Sequence, residues 1–422
     1  MKSILKAKVI GSGAAGNKAA ICLIERGIIP QENVLLINST LKDIPEKYRE
    51  FAVAISQSEK DAGCGKERSK SKELTANSIN EGELDLDGFI ESDDDLVIGI
   101  SSTEGGTGAG NIPFIGSYLK RYVDTFEDED VPREDQKRIN YHVIALNGFG
   151  EDARGYKNTV DFFKDLEEDF SVEAIHNSKF LDEARGSKPD AERLANEEVC
   201  RKVATRIGLG FIDSDQNIDY TDLYKTSCLT PGFSLVEKRN IGKIKNIDEF
   251  NSIITDMIDT TKSMEVPEPS QKRLAVILNI PKSSENFIDY TYKVLKERLG
   301  SWFEVFTQKQ FSEDSGEEPY IAFISSGLKM PINEIKETYS NYKEESAKVN
   351  KADDTFFAFM DEIEDEEEDM LFNANHRSSV RRKNDDLLDA FDKKKNKKQP
   401  SVLTKPASIN VVVEGGSKTN KY

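Results

Sequence analysis

The sequence predicts an α/β fold with a parallel sheet, and the alternation of short apolar runs with helical segments is the main reason. Buried strands are expected at 4–10, 34–38, 95–101 and 141–147, where such runs stand. Helices are expected directly after the first and third strands, at 17–27 and 112–122. Strand, loop and helix in this order give parallel strands with helices on both faces of the sheet. The chain of 422 residues has room for two or three domains.

A long central helix and a smaller second α/β domain complete the predicted architecture. The helix is expected to begin at Asp190, as an N-cap behind Pro189, and to end at Arg206. In the second domain, strands are expected at 273–280, 302–307 and 319–325 and helices at 285–299 and 331–349. We therefore expect a first domain at 1–207 with the helix 190–207, a connecting region at 208–268, a second domain at 269–349 and a tail at 350–422.

The charge of the chain limits its partners. A net charge of −19 excludes a general binder of nucleic acids or membranes, because such a surface repels phosphates. In the tail, an acidic run at 361–369 is followed by basic clusters at 381–383 and 393–398. Blocks of charge with little apolar content are typical of a disordered, flexible interaction tail.

Cysteine spacing and hydropathy indicate a cytoplasmic protein. Its cysteines lie far apart without a C-x-x-C pair, which favours a reducing compartment over a disulfide framework or a zinc site. Lys6 and Lys8 interrupt the apolar stretch that a signal peptide needs. Since no run approaches the roughly 18 apolar residues of a transmembrane helix, we expect no membrane span.

A glycine-rich turn follows the first predicted strand, with Gly11, Gly13 and Gly16 in a G-x-G-x-x-G pattern. This pattern is typical of dinucleotide sites, but an NAD site also needs an acidic residue at the end of the second strand. That strand ends at Asn38. The turn either binds some nucleotide or simply needs glycines for its backbone, and an NAD-dependent oxidoreductase is a remote alternative.

A second glycine-rich loop, S-S-T-E-G-G-T-G-A-G-N at 101–111, also lies between a predicted strand and a helix. Its glycines let several backbone N–H groups turn toward one anion, and the helix N-terminus adds positive partial charge. It is not a P-loop, because no G-K-[ST] follows. Two such loops at the carboxyl ends of parallel strands predict a ligand with several phosphates that lies across both.

An acidic motif, N-I-D-Y-T-D, stands at 217–222 behind the long helix. Asp219 and Asp222 are three residues apart at the expected start of a helix, so their carboxylates lie on one side. They can polarise a water molecule or hold a cation. Standing alone, they are more often helix-capping acids.

Together these motifs resemble the tubulin/FtsZ superfamily of filament-forming GTPases. G-G-T-G-A-G at 105–110 is similar to the tubulin signature G-G-G-T-G-[ST]-G, with Glu104 in place of its first glycine. N-I-D-Y-T-D at 217–222 is similar to the N-x-D-x-x-D of the FtsZ synergy loop. The resemblance covers roughly residues 6–345. It implies a Rossmann-like GTPase domain that binds GTP or GDP with Mg²⁺.

The resemblance also assigns roles to individual residues. It implies nucleotide contacts from the first, second and third phosphate loops, the signature loop, the ribose loop and two asparagines, namely Gly13, Ala14, Ala15, Gly16, Asn17, Asn38, Gly63, Gly65, Gly105, Gly106, Thr107, Gly108, Ala109, Gly110, Glu151, Arg154, Asn177 and Asn196. The implied catalytic residues are Asn217, Asp219 and Asp222, which act on the γ-phosphate of a neighbouring copy. The phosphates themselves hold most of the Mg²⁺ coordination, and no side-chain metal ligand is expected.

Within the superfamily, Glu104, the short first loop and the helix from Pro331 look more like TubZ, the plasmid and phage segregation GTPase. This implies cytomotive filaments of one protein, with a tail that engages a DNA-bound adaptor or DNA. Two alternatives stay open. One is an FtsZ-type filament of cell division, and the other is a tubulin-like protein that assembles without hydrolysis.

Overall fold

The computed structural model describes residues 2–56, 63–122, 140–150, 152–167, 170–214, 216–242, 246–264, 272–299, 303–329 and 340–341. Ten strands lie in one sheet: β1 Ala7–Ser12, β2 Val34–Asn38, β3 Ala52–Ala54, β4 Leu96–Ser102, β5 Asn140–Asn147, β6 Ser171–His176, β7 Gly232–Asn240, β8 Lys272–Ile280, β9 Phe303–Phe311 and β10 Tyr320–Leu328. The helices are α1 Gly13–Glu25, α2 Arg68–Glu81, α3 Leu86–Phe89, α4 Thr107–Tyr122, α5 Ala153–Lys164, α6 Lys188–Arg206, α7 Tyr220–Ser227, α8 Ile247–Ser263, α9 Asn286–Leu299 and α10 Ser312–Ser315.

The strand order is β3-β2-β1-β4-β5-β6-β7-β10-β8-β9. From β3 to β6 every pairing is parallel, which confirms the predicted parallel sheet. The strands of the expected second domain join the same sheet, and β10 pairs antiparallel with both β7 and β8. The two parts meet where β6 and β7 pair through Ser171 with Gly232 and Val172 with Phe233. The domain boundaries themselves stay predictions.

Both faces of the sheet are covered, so its central strands are apolar on both sides. Along β4, Leu96, Ile98 and Ile100 pack into one core, and Val97 packs into the other. The first core also contains buried side chains of α1 and α6, whereas the second contains those of α4, α5, α8 and α9. Strand residues alternate between the faces, which explains how one apolar run supplies two cores.

Element boundaries differ from the expected ones mainly at the glycine loops. Helix α1 begins at Gly13 and α4 at Thr107, each directly behind its strand and loop. Asp190 is not the N-cap of α6, as the sequence predicted. The N-cap is Ser187, whose hydroxyl accepts a hydrogen bond from the backbone N–H of Asp190 at 3.4 Å, so Asp190 lies in the first turn.

Several elements were not anticipated from the sequence, among them β3, β6, β7, α2, α5 and α8. The expected helix at 331–349 lies outside the described residues except for 340–341, and the tail lies wholly outside them. None of the described helices has the length and apolar character to cross a membrane.

Candidate nucleotide site

The two glycine loops lie against each other at the carboxyl ends of the neighbouring strands β1 and β4. Gly13 has a φ of 71°, which favours glycine, and a Cβ there would stand 3.0 Å from the backbone nitrogen of Gly108. A Cβ on Gly108 would stand 2.5 Å from the carbonyl oxygen of Ser12. Since neither position has room for a side chain, the glycines bring the starts of α1 and α4 to the same place.

Gly16 serves packing. A Cβ on Gly16 would lie 2.1 Å from the carbonyl oxygen of Ile100, so α1 rests directly on β4. Ala14 is exposed in the same first turn of α1, whereas Ala15 is half-buried and packs against the core on that face of the sheet. In this loop the glycines therefore set the backbone and the helix packing, and Ala14 faces outward.

The third predicted loop joins this cluster. A Cβ on Gly106 would stand 2.8 Å from Cα of Lys66, which brings the segment at 63–67 against the signature loop. Gly63 and Gly65 both have positive φ values, 136° and 55°, and open space beyond their Cα atoms. Gly105 also has no atom within 4 Å of the place of a Cβ. The residues directly before Gly63, 57–62, lie outside the described part of the chain.

One side chain ties these loops together, and sequence reasoning missed it. The amide nitrogen of the buried Asn158, on α5, donates to the carbonyl oxygens of Lys66 at 3.0 Å, Glu104 at 3.0 Å and Gly105 at 3.1 Å. Backbone carbonyls from two loops thus share one donor group. A lone asparagine in a segment not expected to be helical carries no signal of this role in the sequence.

A second set of contacts fixes the start of α4 against α2. Arg68 Nε donates to the carbonyl oxygen of Ala109 at 3.1 Å, and a Cβ on Gly110 would stand 2.5 Å from the carbonyl oxygen of Arg68. Gly110 is thus another position where two backbones approach closely. Thr107 begins α4, and its carbonyl oxygen accepts from the hydroxyl of Ser71 at 2.7 Å.

The residue that departs from the tubulin signature, Glu104, contacts the loop behind β5. Its Oε1 accepts from the backbone N–H of Gly150 at 3.0 Å, and a Cβ on Gly148 would stand 2.3 Å from its Oε2. Glu151, the predicted ribose ligand, lies outside the described residues. Arg154, the other residue predicted there, forms an ion pair with Glu67 at 3.3 Å between two half-exposed side chains.

Two of the predicted asparagines carry buried oxygens that lack a hydrogen-bond partner among the described residues. Asn17 donates to the carbonyl oxygen of Ile37 at 3.1 Å, but its Oδ1 accepts nothing. The Oδ1 of Asn177, directly after β6, is also buried and accepts no hydrogen bond from the described residues. Leaving a buried acceptor unpaired costs about 1–3 kcal/mol, so both oxygens are available to accept a hydrogen bond from a bound donor.

The remaining two asparagines are placed differently. Asn38 ends β2, and both ends of its amide are engaged in its own loop, with the N–H of Ser39 at 3.0 Å and with Asp43 at 3.3 Å. Asn196 is half-buried on α6, which packs against the turn that begins at Asn177. The carboxylate of Asp43 stands beside the end of β2, where the sequence led us to expect no acid.

The predicted catalytic acids lie at the opposite edge of the sheet from the glycine loops. Asp219 is the N-cap of α7, and its Oδ1 accepts from the backbone N–H of Asp222 at 2.8 Å. The next residue, Tyr220, donates its hydroxyl to Asp95 at 2.6 Å, and Asp95 directly precedes β4. Because β4 has seven residues, about 20 Å of strand separate this edge from the signature loop.

The loop before α7 is held by the second half of the sheet. Asn217, the third predicted catalytic residue, is exposed, and its Oδ1 accepts from the backbone N–H of Ser214 at 2.6 Å. The N–H of Ile218 donates to Gln308 Oε1, on β9, at 2.9 Å. Asn217 therefore shapes the loop. The interpretation of Asp219 as a helix cap is also correct, and its cap leaves Asp222 half-buried in the first turn.

Comparisons with known proteins agree with this architecture. No family model matches the sequence, and no curated protein matches it. Among solved structures, a GTPγS-bound protofilament of CetZ2 from Haloferax volcanii matches with a TM-score of 0.61 and 15% identity, over 82% of this chain and 100% of that one. A GTPγS-form protofilament of TubZ from Bacillus thuringiensis serovar israelensis matches with a TM-score of 0.59 and 14% identity, over 83% and 94%. An empty FtsZ dimer from M. jannaschii matches with a TM-score of 0.53 and 16% identity, over 78% and 89%.

The chain has the tubulin/FtsZ fold. In this tubulin/FtsZ fold, the two glycine loops, the end of β2 and the segment at 63–67 lie at one edge of the sheet. Asp219 and Asp222 do not join them within one subunit. Burial and the neighbouring carboxylate of Asp219 raise the pKa of Asp222 above its ordinary value.

Proposed function

We propose that this chain binds GTP and Mg²⁺ at the glycine loops and hydrolyses the nucleotide when a second copy stacks on it head to tail. The observation that carries the proposal is the separation of the two half-sites. The glycine loops lie at the carboxyl edge of the sheet and Asp222 lies at the amino edge. Asp219 and Asp222 therefore lie too far from the glycine loops of their own copy to act on a phosphate bound there, so the proposed site needs two copies.

The carboxyl edge has the chemistry of a nucleoside triphosphate site. The N-termini of α1 and α4 meet there, and each offers free backbone N–H groups and positive partial charge to phosphates. The open space at Gly105 leaves its backbone accessible. The buried acceptors of Asn17 and Asn177 fit the N–H and O–H donors of a base and ribose. Bound Mg²⁺ would neutralise phosphate charge, and phosphate oxygens would hold it.

In the proposed assembly, the acids of one copy face the phosphates of the next. Asp222, whose pKa is raised, is suited to accept a proton from a water molecule or to orient it. Asp219 sets the first turn of α7 and so aims Asp222, and Asn217 shapes the preceding loop. Phosphoryl transfer needs little more than this positioning together with charge stabilisation at the phosphates.

For the biological role, we propose a cytomotive filament that segregates or positions plasmid or phage DNA in the cytoplasm. The likeness to TubZ and CetZ protofilaments supports assembly of one protein into filaments. The Glu104 variant of the signature supports the TubZ-type reading. In this proposal 1–207 binds the nucleotide, 269–349 forms the second domain and the tail at 350–422 recruits a DNA-bound adaptor or DNA. An FtsZ-type division filament is the alternative, because the likeness to FtsZ has a similar extent.

The test measures GTP-dependent light scattering and phosphate release on the same samples. The Asp222→Ala variant should bind GTP and assemble, while its turnover falls by about 10²-fold or more. Asp248→Ala is the control, because Asp248 is likewise an acid in the first turn of a helix, exposed where Asp222 is half-buried. Full turnover by Asp222→Ala would refute the shared site.

A ligand comparison separates the nucleotide classes. Because Asp43 supplies a carboxylate beside the end of β2, NAD belongs in the same experiment as GTP and GDP. We expect GTP and GDP to raise the melting temperature, and NAD to leave it unchanged. Stabilisation by NAD but not by GTP would favour the oxidoreductase.

A further inference from the structure

Two cysteines that are distant in the sequence are in contact in the fold. Cys22, on α1, and Cys200, on α6, are both free, and their sulfur atoms are 3.1 Å apart. We infer that Cys22 and Cys200 form a thiol–disulfide exchange site, which low-molecular-weight disulfides such as oxidised glutathione convert into a reversible cross-link between α1 and α6. This inference does not depend on the proposed GTPase activity.

The contact between the two helices is held on both sides of the thiol pair. Lys18 forms an ion pair with Glu192 at 3.1 Å, and Arg26 forms one with Glu197 at 3.2 Å. Lys18, on α1, and Arg26, the residue that ends it, are each four residues from Cys22 and lie on its side of the helix. The thiols therefore meet in a packed interface between two helices of the fold, and the sulfur atoms need to approach by only about 1 Å to bond.

The two thiols differ in exposure and acidity, as an attacking and a resolving cysteine do. Cys22 is half-buried, whereas Cys200 is buried. The Cys200 thiol donates a hydrogen bond to the Cys22 sulfur, and the Arg26 guanidinium lies nearby; together they lower the pKa of Cys22 to about 7. The lowered pKa favours the thiolate of Cys22, which is the nucleophilic form.

The reaction proceeds in two exchanges. The Cys22 thiolate attacks one sulfur of oxidised glutathione, which forms a mixed disulfide and expels a glutathione thiolate. Cys200 loses its proton and attacks the sulfur of Cys22, which expels the second glutathione thiolate. Both expelled thiolates take up the thiol protons, so two protein thiols and one glutathione disulfide become one protein disulfide and two glutathione thiols.

The cross-link would join two helices that border the nucleotide site. Helix α1 begins at the first glycine loop, and Asn196 is one turn before Cys200 on α6. A bond between Cys22 and Cys200 fixes the distance between these helices. It also closes a long loop, since the two positions are separated by 178 residues, and closing long loops stabilises a folded chain most.

The decisive experiment maps disulfides in the full-length chain. The protein is incubated with oxidised or reduced glutathione, quenched with N-ethylmaleimide, digested without reductant and analysed by mass spectrometry. We expect a linked Cys22–Cys200 peptide in the oxidised sample, which disappears on reduction. A Cys22–glutathione adduct that persists without this peptide, or a link that involves Cys64 or Cys228, would overturn the inference.

Variants supply a second measurement. Cys22→Ser and Cys200→Ser should each abolish the linked peptide, and the double control Cys64→Ser/Cys228→Ser should keep it. Oxidation should raise the melting temperature of the unmodified chain and of the double control by roughly a few degrees, and it should leave both single variants unchanged. An equal rise in Cys22→Ser would contradict the cross-link. The peptide map of the unmodified chain decides the matter even if a variant does not fold.

Discussion

The side chain of Glu104 accepts a hydrogen bond from the backbone N–H of Gly150, with 3.0 Å between Oε1 and nitrogen. Glu104 stands where the tubulin signature has a glycine, and a glycine has no side chain to accept this hydrogen bond. The carboxylate links the signature loop behind β4 to the loop behind β5. It thereby orders the segment that leads to the predicted ribose ligand, Glu151.

Restoring the glycine should therefore loosen the loop at 147–150. In Glu104→Gly, we expect hydrogen exchange of the peptide that contains Gly150 to accelerate by about 10-fold or more, because hydrogen bonds to charged groups contribute about 1.5–3 kcal/mol. Hydrogen–deuterium exchange mass spectrometry measures this. Glu104→Gln retains an acceptor and is the control. Unchanged exchange in Glu104→Gly would show that the carboxylate does not hold the loop.

Substitution by alanine should lower the free energy of unfolding at Gly16 and leave it nearly unchanged at Gly105. Gly16→Ala places a methyl group 2.1 Å from the carbonyl oxygen of Ile100, so the chain should lose about 1–3 kcal/mol of its free energy of unfolding. Gly105→Ala meets no atom within 4 Å and should change that free energy by less than about 0.5 kcal/mol. Urea unfolding measures both. Equal losses would contradict the packing described for the two loops.

Two inactive variants should restore hydrolysis when they are mixed. Asp222→Ala retains the glycine loops, and Gly105→Asp retains the acids but sets a negative charge where phosphates are proposed to bind. A mixture allows a contact with one intact half-site from each copy, so phosphate release should exceed that of either variant alone by roughly 10-fold. The control mixes Asp222→Ala with the Asp222→Ala/Gly105→Asp double variant. Rescue in that control, or none in the first mixture, would argue against a site shared between copies.

The pKa of Asp222 should fall when Asp219 loses its charge. Burial raises this pKa first and the carboxylate of Asp219 adds to it, so Asp219→Asn removes the second cause while Asn still caps α7. Carbon-13 NMR titration of labelled aspartates measures the change. The sign for stability also follows. Because its folded pKa is raised, protonated Asp222 contributes to the free energy of unfolding at low pH, and this contribution is lost as pH rises through the folded pKa. A pKa unchanged by Asp219→Asn would contradict the coupling.

Glu173 should be essential for stability at neutral pH. It is buried on β6, where Lys202 Nζ lies 2.5 Å from Oε1 and Arg206 Nη2 lies 2.9 Å from Oε2. Burial alone would raise its pKa, but the two cations lower it. Glu173→Gln leaves Arg206 without this counter-charge, while Lys202 keeps the more distant Glu198 at 3.6 Å. The change should cost about 3–5 kcal/mol at pH 7 by urea unfolding.

The same carboxylate predicts an acid dependence. Because its folded pKa is depressed, its contribution is present above the unfolded pKa of about 4.3 and is lost as pH falls through the folded pKa. The difference between wild type and Glu173→Gln should therefore shrink below about pH 4. Glu192→Gln, which breaks the exposed pair with Lys18, is the control and should cost at most about 1 kcal/mol. A constant difference across pH would show that the network is not the cause.

Local chemistry explains how much of this fold could be predicted. The strands at β1, β2, β4 and β5 and both glycine loops were recognisable, since buried apolar runs and glycines at tight turns carry their own signal. Strand β6 was not, because a buried Glu173 interrupts its apolar pattern, and its partners on α6 lie about 30 residues away. Helix α2 was missed because it is almost wholly polar and has no apolar stripe to mark it.

The site was predictable in the same uneven way. The motifs identified which residues matter, and the start of a helix at Asp219 was correctly expected. That this helix lies at the amino edge depends on the contact of Tyr220 with Asp95, 125 residues away, which no local pattern reveals. Asn158 was missed for a related reason, since its three acceptors are backbone carbonyls and leave no trace in residue types.

Because the glycine loops and Asp222 lie at opposite edges of one sheet, the proposed filament can grow without limit, and a defective subunit can stop it. The two edges differ, so each contact between two copies leaves one free set of glycine loops and one free pair of acids at the two ends of the assembly. Further copies can therefore always be added. A subunit with one disabled edge can join a filament but cannot accept the next subunit, so it terminates growth at that end. If Gly105→Asp also weakens stacking at its own cradle, a small fraction of it should shorten wild-type filaments far more than dilution alone does.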